Sequence, residues 1–104
     1  MKILSVDMST HKNGWAYFQN GKLVSSGVKN FNGNVLDRIM AVENWLAKEI
    51  NRKKIDVVLL EDIQFQNNVL TYKILAMLRG VVECMLWKKS VEFHIIKSSV
   101  WRCG

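Results

Sequence analysis

A chain of 104 residues with 49% hydrophobic content is long enough and apolar enough for one small packed domain, which argues against disorder. No apolar run approaches the roughly 20 residues of a membrane span, and the start lacks the basic segment and long apolar core of a signal peptide. Fifteen Lys and Arg against nine Asp and Glu leave a net charge of +6, which points to a polyanionic partner, nucleic acid first. The two cysteines, Cys84 and Cys103, have no metal-type spacing, so neither a zinc site nor a disulfide framework is expected, and a reducing cytoplasm fits best.

The chain opens on Ile3, Leu4 and Val6, a short β-rich run that ends in the carboxylate of Asp7. A polar turn follows, and the chain returns through Trp15, Ala16, Tyr17 and Phe18. Asn13-Gly14 at the end of that turn reads as a hairpin signal, and Asn20-Gly21 as a second turn. Lys22 to Lys29 reads as a third strand, weakened by Gly27, so the first three strands form an antiparallel meander. Asn34 is a plausible N-cap, with Asp37 in the first turn of a helix from Val35 to about Lys53. Its expected buried stripe is Leu36, Ile39, Met40, Leu46, Ala47 and Ile50.

Asp56 to Glu61 is a continuous apolar run of the kind found in strands buried on both faces, and it too ends in a carboxylate. Gln64 to Asn68 is a polar loop around Phe65, and Val69 to Lys89 is a long helix. The apolar positions of that helix exceed one narrow stripe, which leaves surface for a partner and predicts a homodimer through this helix. Gly80 inside it fits either a close backbone approach or a tolerated glycine. Val91 to Ile96 is a fifth strand, and Ser98 or Ser99 could cap a short further helix. The order β-β-β-α-β-α-β predicts an α/β fold with a five-stranded mixed sheet in which the Asp56–Glu61 strand runs parallel to Lys2–Asp7. Residues 1–104 are read as one domain.

Two strands therefore end in acids. In an open α/β sheet, ligands gather beyond the carboxyl ends of neighbouring parallel strands. Paired there, Asp7 and Glu61 would repel unless a proton or cation lay between them, and hard oxygen ligands select Mg²⁺ or Mn²⁺. The bland alternative is a turn-starting Asp7 and a solvated strand-end Glu61.

ILSVDMSTHKNGWAYF resembles the first motif of RuvC-type Holliday junction resolvases: strand, Asp, small polar loop, Gly, strand. VVLLEDIQFQNN is similar to their second motif, a strand-end Glu before a DNA-contacting loop. LAMLRGVVECML is similar to the helix that follows, and SSVWRCG to the segment leading into the last helix of phage-type members. The resemblance runs from Lys2 to Gly104. It implies an RNase H-like fold, dimerisation, and Mg²⁺-dependent cleavage of branched DNA, in particular four-way junctions. It makes Asp7 and Glu61 catalytic metal ligands.

The resemblance also implies further acids and a basic residue on a final helix beyond the position of Gly104. The 104 residues contain no such helix, so the expectation is a truncated domain that binds branched DNA and cleaves it poorly or not at all. Asp62 should point away from Glu61 by strand alternation, and Glu83 and Glu92 fall on a helix and inside a strand.

Phe65 could stack on an unpaired base, which is worth about 1–3 kcal/mol, or cover the core beneath its loop. Gln64, Gln66, Asn67 and Asn68 are candidate base contacts around it. Lys12, Lys73, Arg79 and Arg102 are candidate phosphate contacts or solvated side chains. His11 reads as an exposed loop histidine, with phosphate or metal contact as the alternative, His94 as structural, and Trp15, Trp45, Trp87 and Trp101 as packing residues. Two competing functions are a non-catalytic junction-binding module and a fragment of an actin-like or sugar-kinase ATPase. The latter needs a second lobe for which 104 residues leave no room.

Overall fold

Alternating apolar residues and two amphipathic helices sort this chain into a sheet covered by helices. The computed structural model describes residues 1–63 and 68–97. Its elements are β1 (Lys2–Asp7), β2 (Lys12–Gln19), β3 (Lys22–Asn30), α1 (Val35–Lys53), β4 (Val57–Glu61), α2 (Val69–Lys88) and β5 (Glu92–Ile96). The strands form one sheet in the order β3-β2-β1-β4-β5. The β1–β2 and β2–β3 pairs are antiparallel, and β4 is parallel to both β1 and β5. This is the expected mixed sheet, with Ile3 beside Val57 and Val6 beside Leu60.

Leu4, Val6, Tyr17, Val58 and Leu60 project from one face of the sheet. They join Ile39, Val42, Leu46 and Ile50 of α1 and Leu78, Val82, Met85 and Leu86 of α2 in a single core. Both helices therefore cover the same face. The buried positions of α1 are spaced by three and four residues, as one helical face requires. Leu36 and Met40, expected in that stripe, are exposed instead, and Val42 takes the inner place. The α1 N-cap is as expected: the Asn34 Oδ1 accepts the Asp37 N–H at 2.9 Å.

The hairpin signals were of unequal value. Asn20 and Gly21 have φ of 54° and 80° and make the two-residue turn between β2 and β3, the pairing of positive φ values that suits the strand twist. Asn13-Gly14, by contrast, lies inside β2 and turns nothing. The Asn13 side chain is fully buried, and its Oδ1 accepts the Ser9 N–H at 3.1 Å, so it braces the turn from within. Gly27 does more than weaken β3. A Cβ there would meet the Trp15 ring at 3.0 Å. That ring also carries the Lys53 ammonium, 4.5 Å from its centroid and 5.1 Å from that of Tyr17. Lys53 lies 3.3 Å from Glu49 as well. Burial pushes the Glu49 carboxyl up, but the bonds from Arg52 and Lys53 outweigh it and hold it below its ordinary range.

The outer face of α2 differs most from expectation. Trp87, expected to pack, is 79% exposed, because it lies on the side of the helix away from Leu78 and Val82. Val69, Met77, Gly80 and Cys84 share that outer side. A side chain at Gly80 would meet open space, and no backbone approaches it among the described residues.

Candidate functional site

Asp7 and Glu61 each stand one residue beyond Val6 and Leu60, the last positions paired between β1 and β4, and end their strands. Strand alternation puts both side chains on the face opposite the helices, side by side at the carboxyl edge. Asp7 is exposed and Glu61 half-buried. Two carboxylates at one edge are a hard-oxygen donor set of the kind Mg²⁺ and Mn²⁺ accept, usually with several waters kept. Among the described residues no group of three or more His, Cys, Asp or Glu side chains stands ready for a metal.

Asp62 does point the other way. Its Oδ1 accepts from Arg79 Nη1 of α2 at 2.7 Å and from the Ile63 N–H at 2.9 Å. Its own N–H donates to the Ile96 carbonyl at 2.7 Å, and the Arg79 Nε donates to Glu83 at 3.1 Å. Arg79, a candidate phosphate contact, is thus occupied by two acids, with its side chain only 16% exposed. It ties α2 to the end of β4, just past Glu61.

That pair has a pH signature. The hydrogen bond from Arg79 holds the Asp62 carboxyl below its ordinary range. A carboxyl depressed on folding contributes stability above its unfolded value of about 3.9, and loses it as pH falls through the folded value. Asp62→Asn should therefore lower stability at pH 7 by less than about 1 kcal/mol, since the half-exposed pair is screened by solvent. The deficit should shrink as the pH falls below about 4. Urea midpoints at pH 7 and pH 3 check both parts.

Lys12 is exposed at the start of β2, and Lys73 is exposed on α2. Asn68 caps α2, its Oδ1 accepting the Thr71 N–H at 3.2 Å. His94 is exposed on β5, with Nε2 2.7 Å from Glu92. Gln64, Phe65, Gln66 and Asn67, the expected base contacts, lie outside the described residues, as do Ser98, Ser99, Trp101 and Arg102. Sequence reading missed Arg38 and Thr71, which line a groove beside the turn that follows Asp7. Their signal was only a lone arginine and a lone threonine near two helix starts.

The backbone has close counterparts among solved structures. Thermus thermophilus RuvC in complex with Holliday junction substrate superposes with a TM-score of 0.81 at 12% identity, over 93% of this chain and 64% of that one. The fowlpox virus resolvase, in complex with Holliday junction DNA, gives 0.65 at 17% identity, over 93% and 60%. The yeast mitochondrial Holliday junction resolvase gives 0.63 at 12% identity, over 91% and 49%. The fold is therefore that of RuvC and its RNase H-like relatives. This chain spans 64% of the Thermus RuvC chain and about half of the yeast one. No protein-family profile matches the sequence, and no curated protein matches it.

Proposed function

We propose that this chain carries the strand-end part of a divalent-metal-dependent nuclease site for four-way DNA junctions. One observation carries the reading: Asp7 and Glu61 end neighbouring parallel strands on one face of a sheet shared with resolvases, two of them bound to junction DNA. Asp7 and Glu61 would hold Mg²⁺ or Mn²⁺, which when bound activates water and stabilises charge in phosphodiester hydrolysis. Lys12 and Lys73 offer cations to the backbone of a strand, and residues 64–68 offer the base contacts. Anisotropy with a labelled four-way junction tests the binding half. Tighter binding to the junction than to a linear duplex of equal length, weakening steeply with salt, supports it. Equal affinity for both rules out junction recognition. A non-catalytic junction-binding module is the second reading, favoured by there being two carboxylates rather than three among the described residues.

The same reading places a second copy of the chain on the outer face of α2. Val69, Met77 and Trp87 are exposed there, with Gly80 and Cys84 letting another helix come close. A two-fold dimer would present two sites to a junction in which two strands must be cut. Leu78 is fully buried in the core and does not belong to that face. Light scattering at tens of micromolar should give a dimer mass, and Met77→Glu with Trp87→Glu should give a monomer with an unchanged melting temperature. A monomeric parent chain contradicts the dimer.

A further inference from the structure

We infer that the groove between the turn after β1 and the starts of the two helices binds a phosphodiester of the incoming DNA strand, with Arg38 as its principal cation. The inference rests on the nuclease reading and adds residues to it. The groove holds about 250 Å³ and lies between the turn after β1 and the first turns of the two helices. Met8, Ser9, His11, Arg38, Thr71 and Leu75 are among its lining, and no acid is. It is smaller than the roughly 300–1,000 Å³ of a typical small-molecule pocket, and suits a phosphate with its sugar.

Arg38 gives the groove its chemistry. It is half-buried, and its Nη1 donates to the Gly33 carbonyl at 2.6 Å. Among the described residues its buried Nε has no partner and no carboxylate pairs with it. The other two described arginines differ: Arg52 pairs with Glu49, and Arg79 with Asp62 and Glu83. A guanidinium does not deprotonate, so a partly buried one left without an anion is costly. A phosphate in the groove would supply that anion.

A second observation is independent of Arg38. The first turn of α2 contains no acid, whereas α1 has Asp37 there. The positive end of this 20-residue helix thus meets the neutral Asn68 cap and no opposing charge from its own first turn, and Thr71 of that turn faces the groove. Ser9 Oγ accepts the His11 N–H at 3.3 Å, which leaves its hydroxyl hydrogen to donate. Met8 and Leu75 supply an apolar wall for the sugar.

The test uses the whole chain with two variants, Arg38→Gln and Thr71→Asp. An aspartate in the first turn of α2 favours the helix, so Thr71→Asp should melt no lower than the parent while repelling a phosphate. Junction affinity is measured by anisotropy across a salt series. Each variant should bind about tenfold more weakly, and Arg38→Gln should reduce the slope of log affinity against log salt by about one. Parent-like affinity and slope in both folded variants overturns the groove while leaving the nuclease reading intact. If the parent chain binds no junction, the nuclease reading falls, and with it the DNA source of the phosphate. Amide shifts of Ser9, His11 and Thr71 on adding inorganic phosphate, absent in Arg38→Gln, would then assign the groove to free phosphate. No shifts with either inorganic phosphate or a dinucleoside monophosphate overturn the site altogether.

Discussion

The 104-residue chain should cut a synthetic four-way junction slowly in Mg²⁺ or Mn²⁺, and Asp7→Asn should remove that cutting. The slowness follows from the donor set. Two carboxylates leave most of a cation's shell to water, so the ion is held loosely. A misplacement of about 1 Å costs on the order of 100-fold in rate. Asp7→Asn replaces one of the two anionic donors with a neutral amide, and because Asp7 is exposed the substitution should leave folding untouched. The expected loss is at least about 100-fold, beyond the 10–100-fold typical of changes one layer further from a metal. Time courses on labelled junctions, with melting curves for both proteins, measure it. Cutting that persists in Asp7→Asn would move the chemistry elsewhere in the chain.

Leu60→Ala should have the largest effect on the fold. Leu60 is fully buried in β4, one residue before Glu61 and beside Val6. Truncating a buried leucine costs about 2–5 kcal/mol, the transfer free energy plus the cavity left behind. Small domains have roughly 5–15 kcal/mol in total, so the loss could halve the margin. The site would suffer with it, since β4 sets where Glu61 stands. Urea unfolding of the two proteins gives the difference, with the slope expected to stay constant. A change below about 0.5 kcal/mol would mean that β4 is not the buried interior strand described here.

Most of the sheet was legible in the sequence because its signals are local. Short apolar runs marked the strands, Asn20-Gly21 marked the turn between β2 and β3, and the polar residue Asn34 before a helical period marked the start of α1. Strand-end acids were legible too, since Asp7 and Glu61 each close an apolar run. What was not legible depends on which way a helix faces. Trp87, Leu36 and Met40 are large and apolar, and composition alone assigns them inward. Only the packing of α1 and α2 on one sheet face leaves them outside. Arg79 looked like a free cation until Asp62 and Glu83 were brought to it from 17 residues before and 4 residues after. Asn13 looked like a turn residue, because its burial depends on how the turn after β1 folds back over it.

The central claim is that Asp7 and Glu61 together hold a divalent cation at the edge of β1 and β4. Paramagnetic broadening by Mn²⁺ tests it without relying on activity. Titrating Mn²⁺ into the ¹⁵N-labelled chain should broaden the amides of Asp7, Met8, Glu61 and Asp62 first, with Mg²⁺ competing. Asp7→Asn and Glu61→Gln should each abolish that pattern. Broadening centred on other residues, or an unchanged pattern in both variants, would contradict the account.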